Sequence, residues 1–453
     1  MNIIIVGDGK VGMTLTKKML AEGHDLSVID MNQAVLDISA ERFDVLAIQG
    51  NGASMEVLAQ ADVKNTDLLV AVTGLDEINL LACMTAHAMN PKLHTIARIR
   101  NPEYTDQIYE MRDTFGISMT VNPERQAAIE IDRLLKYPGF LKRDTFAKGR
   151  VEIVELKLEE DSKLCNVALN DLEEIVKCRV LVCAVSRNGS VVSPDGNFVL
   201  MAGDRLYVTA TTNELTVMLR SLGLLKHKAK HVLLCGGGRV SFYLAQLLAK
   251  SGVNVQLVES NRERCIELAN QLKGVNVIHG DASNYFLLEQ EGINDCDALV
   301  TMTGLDEMNM ILSLYGQSCK VPQIITKVDH TENSGIQDSL PLGSVVCPKD
   351  ICCNNIVRYV RSMQNKAGAA LTMHTIADGQ AEALEFFVDD QTMHCDEPLK
   401  DIRIRKNVLI VCIMHGKRID IPSGDSRFVR GNRIIVVASQ GVVVRSLNDI
   451  FEG

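Results

Sequence analysis

No stretch of this 453-residue chain approaches the ~18 consecutive apolar residues that a bilayer-spanning helix requires, so a soluble protein is expected. The opening "MNIIIVGDG" has no cationic segment, and its apolar run stops at Gly7, which reads as a strand and not as a secretory signal. Basic runs are scarce as well. The formal net charge is −10, and the short cluster "KHKAKH" at 226–231 reads as a solvated linker, which argues against nucleic acid as a partner. The thirteen cysteines never form C-x-x-C and lie mostly in apolar segments, a pattern that excludes a disulfide framework or a zinc site and suits buried thiols in a reducing cytosol. Low-complexity sequence is missing too. With 46% apolar residues, the chain should be globular throughout, in roughly two to four domains.

What the chain does have is a duplication. "DLLVAVTGLDEINLL" (67–81) returns as "DALVTMTGLDEMNMI" (297–311), "IIIVGDGKVG" (3–12) as "VLLCGGGRVS" (232–241), and "LSVID" (26–30) as "VQLVE" (255–259). "IQGNGAS" (48–54) matches "IHGDAS" (278–283) with one residue skipped, "TIARI" (95–99) matches "IITKV" (324–328), and "VNPE" (121–124) matches "VCPK" (346–349). Fainter matches follow, "VEIVEL" (151–156) with "AEALEF" (381–386) and "SPDGNFVLMAGDRLYVTA" (193–210) with "IPSGDSRFVRGNRIIVVA" (421–438). Each half therefore holds a longer first unit and a shorter second one.

In the first long unit, strand-like runs at Ile3–Val6, Leu26–Ile29, Asp44–Ile48 and Leu68–Val72 alternate with helical stretches at Met13–Ala21 and Gln33–Ser39. That alternation implies right-handed crossovers and a parallel sheet. A helix is expected over "PERQAAIEIDRLLKYPG", stopped at Pro138-Gly139, with a matching one near Asn354–Met363. It serves either the local core or an exchange between neighbouring units. The short units, with strands in "RVEIVELKL" and "DRLYVTA" and a helix in "LNDLEEI", read as small α+β modules. The expected architecture is two Rossmann-like parallel-sheet domains, 1–123 and 230–349, each followed by a small α+β lobe, 140–225 and 369–453.

The glycines carry the functional signal. "IIIVGDGKVGMTLTKKML" is a strand, then Gly7-x-Gly9-x-x-Gly12, then a helix. Gly7 permits the tight turn, Gly9 lets a pyrophosphate approach the backbone, and Gly12 lets helix and strand pack closely. Asp30 ends the second strand where a ribose-binding carboxylate belongs, and Met31-Asn32 after it offer no arginine for a 2′-phosphate, which favours NAD(H) over NADP(H). The second copy keeps Gly236 and Gly238, puts Ser241 in the third place, substitutes Glu259 for the acid, and sets Arg239 where it can meet a further charge such as a γ-phosphate. In "TGLDE", Thr73 and Gly74 are expected to line the ligand edge, while Asp76 and Glu77 are expected to cap the following helix. Arg98 and Lys327 end equivalent strands and can serve phosphates or a local salt bridge.

Gly7 to Gly12, Asp30, "GNGAS", "VTGLDE" and "IARI", duplicated and each time followed by a small α+β unit, resemble the TrkA family over essentially the whole chain. Members of that family are cytosolic regulatory subunits of bacterial Trk potassium-uptake systems, built from RCK (KTN) domains. The resemblance implies a membrane potassium-translocating partner of the TrkH or TrkG type, a homotetramer supplying a ring of eight RCK domains, a peripheral place on the cytoplasmic face of the inner membrane, and binding of NAD(H) with ATP or ADP in addition. Carried over, the ligand positions are Gly7, Asp8, Gly9, Lys10, Val11, Asp30, Asn51, Thr73, Gly74 and Arg98. In the second copy they are Gly236, Gly237, Gly238, Arg239, Val240, Glu259, Asp281, Thr303, Gly304 and Lys327.

The competing reading is an NAD-dependent oxidoreductase. Hydride transfer needs an acid or base beside the nicotinamide, and His24, His87 and His94 fall in helices or connections while the short units offer no catalytic set. The expectation is a regulator and not an enzyme, with no metal site at His394-Cys395.

Overall fold

The computed structural model describes residues 1–111, 114–136, 140–146, 150–224, 229–329, 340–364, 370–377, 380–416, 418–439 and 441–452. The basic residues at 226–228, the helix stop at Pro138-Gly139, and positions 225, 369 and 453 of the expected boundaries lie outside them.

The first half opens as β1 (Asn2–Val6), α1 (Lys10–Ala21), β2 (Asp25–Asp30), α2 (Gln33–Arg42), β3 (Leu46–Gln49), α3 (Met55–Gln60), β4 (Leu68–Ala71), α4 (Asp76–Met89), β5 (His94–Arg98), α5 (Pro102–Met111) and β6 (Met119–Val121). Its sheet is parallel, in the order β3-β2-β1-β4-β5-β6. The order reverses between β1 and β4, which places a crevice at the carboxyl ends of those two strands. Helices cover both faces, so the central strands are apolar throughout. Ile3, Ile4 and Ile5 are each at most 1% exposed, and burying a side chain of that size contributes about 2 kcal/mol.

After α6 (Pro123–Lys136) come β7 (Lys142–Phe146), β8 (Val151–Lys157), α7 (Leu172–Val176), β9 (Leu181–Arg187), β10 (Ser190–Val192), β11 (Arg205–Thr211) and α8 (Thr212–Ser221). These strands form an antiparallel sheet, β10-β9-β11-β8-β7. The β9–β10 hairpin turns through Asn188 and Gly189, both at positive φ, the preferred chemistry for a two-residue turn.

The second half repeats this plan with β12 (His231–Cys235), α9 (Arg239–Lys250), β13 (Asn254–Glu259), α10 (Arg262–Gln271), β14 (Val275–His279), α11 (Tyr285–Gln290), β15 (Ala298–Thr301), α12 (Asp306–Ser318), β16 (Gln323–Lys327), β17 (Ser344–Val346) and α13 (Pro348–Gln364). Its sheet order, β14-β13-β12-β15-β16-β17, is that of the first. The last module, β18 (Thr372–Ile376), β19 (Ala381–Phe387), β20 (Val408–His415), β21 (Arg418–Asp420) and β22 (Arg433–Ser439), pairs as β18-β19-β22-β20-β21 and matches the earlier small sheet strand for strand. The two small sheets share one core, in which Phe146, Ile153 and Tyr207 meet Ile376, Val411 and Ile435. Asp144 and His374, 2.9 Å apart, join their edge strands. No described helix is long and apolar enough to cross a membrane.

The helices after the parallel sheets do more than serve the nearest core. The chain divides into two compact units, Met1–Ile129 with Cys347–Val357, and Glu130–Val346 with Arg358–Gly453. The start of α13, expected six residues later, thus belongs with the first sheet. Lys18 of α1 donates to Asn354 at 2.5 Å and lies 3.7 Å from Asp350. Reciprocally, the end of α6 belongs with the second sheet, where Gln323 donates to the Leu134 carbonyl at 2.8 Å.

Glu130 lies in that second portion of α6. Burial pushes its carboxyl up to about 7, Arg133 offsetting part of the rise and the charge of Asp144 adding to it. Between the ordinary value of 4.5 and about 7, the folded chain retains a proton that the unfolded chain has released, so stability falls as pH rises through this window. The decline should be on the order of 2 kcal/mol. Urea midpoints at about pH 5 and about pH 7.5 should therefore differ less for Glu130→Gln than for the parent; an unchanged difference would assign the slope to another group.

Candidate functional site

At the carboxyl edge of the first sheet, Gly7 turns the chain out of β1 at φ +97°, and a Cβ there would lie 2.8 Å from the Thr73 backbone. Conformation and close approach both require glycine at that point. Gly9 behaves differently. It precedes α1 in an extended conformation without a side-chain cap, and a Cβ on it would meet nothing within 4 Å. Gly74, Gly238 and Gly304 share that openness. Neither fold nor packing demands glycine at these four positions, whereas a ligand lying against the backbone would. The first turns of α1 and α9 contain no acidic residue, so the amides of Lys10, Val11, Arg239 and Val240 present an uncompensated positive helix end.

Close packing of helix on strand is solved twice. A Cβ on Gly12 would lie 2.0 Å from the Gly7 carbonyl oxygen. At the equivalent place the fully buried Ser241 donates its hydroxyl to the Gly236 carbonyl. The second loop thus keeps its turn with a bond where the first uses hydrogen alone.

The acids are oriented by backbone. Asp30 accepts from the Asp8 amide at 2.7 Å and the Asn32 amide at 2.8 Å. Glu259 accepts from the Gly237 amide at 2.6 Å and the Asn261 amide at 2.7 Å. The two carboxylates reach equivalent donors although one side chain is a methylene longer. A Cβ on Gly237 would lie 2.7 Å from Leu268 Cδ1 and 2.8 Å from Glu259 Oε2, so leucine and the longer acid together favour glycine there, while the first site leaves room for Asp8. Gly237→Ala should weaken ligand binding at the second site by about tenfold, and adding Glu259→Asp should restore part of it, with Leu268 still crowding the new methyl group. Equal losses in the single and double variants, measured by equilibrium dialysis, would contradict this coupling.

The remaining positions are more heavily engaged in structure. Asn51 accepts from the Ala53 amide at 3.0 Å and Asp281 from the Ser283 amide at 2.8 Å; this backbone bond is the main reason the Asp281 carboxyl is held below its ordinary value. The Thr73 hydroxyl donates to Asn79 at 2.8 Å and reaches the Leu75 carbonyl at 3.1 Å. Thr303 repeats this with Asn309 at 2.7 Å and Leu305 at 3.2 Å. Arg98 pairs with Glu124 at 3.0 Å. Because Lys349 stands at the equivalent of Glu124, Lys327 turns to Asp329 at 3.0 Å.

Asp76 and Glu77 open α4, but neither side chain caps it. Buried Asp76 accepts from the Arg100 and Asn101 amides at 2.8 and 2.7 Å, tying the β5–α5 loop to the site edge. The residue not anticipated is Asn79. It has no exposed surface, accepts from the Thr73 amide at 2.8 Å and donates to the Arg98 carbonyl at 2.9 Å. Asn309 does the same with Thr303 and Lys327 at 2.7 and 3.0 Å. Its signal was present, since asparagine follows both copies of TGLDE after one intervening residue.

Compared with known proteins, the chain matches the TrkA-N domain over residues 3–123 and 232–348 and the TrkA-C domain over 153–223. It is 32% identical over 438 residues to the Trk system potassium uptake protein TrkA homolog of Archaeoglobus fulgidus, covering 97% of each chain. Identity to the TrkA homolog 1 of Methanosarcina mazei is 30% over 445 residues, covering 96% of this chain and 97% of that one. Among solved structures, the GsuK channel bound to NAD superposes with a TM-score of 0.62 at 18% identity, over 97% of this chain and 76% of that chain.

Proposed function

The chain belongs to the TrkA family, and from that premise we propose that it is a cytoplasmic nucleotide-binding subunit that regulates a membrane potassium-translocating subunit of the TrkH or TrkG type. The observation that carries the nucleotide part is the set of four glycines, Gly9, Gly74, Gly238 and Gly304, where an added Cβ would meet nothing within 4 Å although the backbone conformation does not call for glycine. In the first site the amides after Gly9 would receive the pyrophosphate and Asp30 the adenosine ribose, with Asn51 and Gly74 along the same edge. NAD(H) fits this acid. In the second, Arg239 opens α9 as an exposed cation beside the phosphate position, which suits ATP or ADP. The engagements of Thr73, Arg98, Thr303 and Lys327 favour loop-positioning roles for their side chains, leaving their backbones to face the ligand.

The proposed domains are 1–123 and 230–349 for nucleotide, and 140–225 and 369–453 as the accompanying lobes. Assembly into a homotetrameric ring is supported by apolar side chains that α4 and α5 leave half exposed, Leu81, Met84 and Met111, beside a cavity of about 360 Å³. A nucleotide alters such a ring only through different affinities for its shapes, a coupling of about 1–3 kcal/mol.

At the first site an oxidoreductase is disfavoured by placement. His24 precedes β2, His87 lies in the last turn of α4, and His94 begins β5, all at the sheet edge opposite the glycines. Incubating the full-length chain with NAD, NADH, ADP or ATP should give saturable binding, and NADH should persist when carbonyl compounds are added. Absence of binding by all four would refute the proposal; steady NADH consumption would favour the enzyme.

A further inference from the structure

The two sites differ in a place that the glycine pattern does not mark. Asp8 stands between Gly7 and Gly9, has no exposed surface, and neither of its carboxylate oxygens has a hydrogen-bond partner. Its amide donates to Asp30 at 2.7 Å, so one turn brings two carboxyl groups together. Facing it from α2 is Ser39, equally buried and with its hydroxyl also unpartnered. At the second site these three positions hold Gly237, Glu259 and Leu268. A Cβ on Gly237 would lie 2.7 Å from Leu268 Cδ1 and 2.9 Å from Glu259 Cγ, so the space of the Asp8 side chain is filled there by the longer acid and an apolar neighbour. One site holds two carboxyl groups around a buried polar spot; the other holds one.

A buried carboxylate without a partner is costly and is driven toward its neutral form. Burial raises the Asp8 carboxyl above its ordinary 3.8, the Ser39 hydroxyl draws it partly back, and the charge of Asp30 raises it further. The titratable group facing Asp8 is Asp30 on β2; α2 contributes the neutral Ser39, and the β4–α4 loop approaches Gly7 through the neutral Thr73. A bound dinucleotide would set its negative pyrophosphate against the adjoining amides, where an ionised Asp8 repels it and a neutral one does not.

We propose that Asp8 makes the first site proton-linked: the nucleotide binds the form in which the Asp8 carboxyl holds a proton, whereas the second site, with Gly237 in that position, binds without that linkage. The inference rests on the nucleotide-binding reading and adds a regulating proton to it. The proton enters from solvent with the ligand and leaves with it. Affinity is then flat at low pH, falls as pH rises through the window between the proton affinities of Asp8 in the free and bound site, by up to about tenfold per pH unit for one proton, and levels off above it.

The test is calorimetric titration of NAD, whose pyrophosphate does not titrate in the range, into the full-length chain carrying Gly238→Asp so that the first site is read alone. Runs from about pH 5 to about pH 9, in buffers of different ionisation enthalpy, count the protons taken up. Proton uptake and a falling affinity are expected in this parent, and both should vanish in Asp8→Asn and in Asp8→Gly, which copies the second site. Binding without proton uptake in the parent, or an unchanged pH slope in either variant, overturns the linkage and leaves nucleotide binding intact. Absence of NAD binding at every pH overturns both. The proton count in the parent decides the matter even where a variant does not fold.

Discussion

Gly9→Asp is expected to lower nucleotide affinity at the first site by about a hundredfold or more, because a like charge facing a pyrophosphate costs several kcal/mol and each ~1.4 kcal/mol is a factor of ten. The fold should survive. No protein atom lies within 4 Å of a Cβ at this position, and its extended backbone is one that any residue adopts. An aspartate just ahead of α1 also suits the helix end, so thermal stability should hold or rise slightly. The pairing of lost binding with kept stability is diagnostic. A destabilised variant, or a stable one that binds NAD like the parent, would mean that this glycine serves the fold or that the ligand lies elsewhere. Gly238→Asp should act in the same way on the second site alone.

Three residues along, the same motif should give the opposite outcome. Gly12→Ala places a methyl group 2.0 Å from the Gly7 carbonyl oxygen, a backbone atom that cannot yield without moving α1 off β1. The cost should be about 3 kcal/mol, seen as an earlier urea transition of the first domain. Ser241→Ala at the equivalent position loses the hydroxyl bond to Gly236 and the weaker contact with Met302 Sδ at 4.0 Å and should cost about 1 kcal/mol. If Gly12→Ala unfolds with the parent, the close approach of α1 is not needed for stability.

Much of this architecture was legible because local and repeated signals agreed. Strand-like runs such as "IIIV" and "LLVAV" alternate with helical stretches, the first two glycines of the motif recur at 7 and 9 and at 236 and 238, and a single topology satisfies both copies. The β9–β10 hairpin carried its own signal in Asn188-Gly189 but was not read from it. What stayed hidden depends on contacts distant in sequence. The partner of Arg98 is Glu124, 26 residues on, and nothing near Arg98 distinguishes that pairing from a phosphate contact. Asp76 looked like a cap because acids favour first turns, yet two amides beyond β5 claim its carboxylate. Likewise, the periodicity of α6 and α13 shows that each has an apolar face but not which sheet receives it. The Asp8–Gly237 difference carries no signal in the local sequence, because its steric cause lies in Glu259 and Leu268, 22 and 31 residues beyond Gly237.

The central claim is that nucleotide on this chain controls potassium movement through a membrane partner. The most direct measurement is rubidium or potassium uptake into proteoliposomes holding a TrkH- or TrkG-type subunit with this protein added, with and without NAD, NADH, ADP or ATP. The account predicts that flux depends on the added protein, that at least one nucleotide changes it, and that the double variant Gly9→Asp/Gly238→Asp removes the nucleotide effect while still folding. Flux that is the same with every nucleotide, or that responds equally in the double variant, would contradict it.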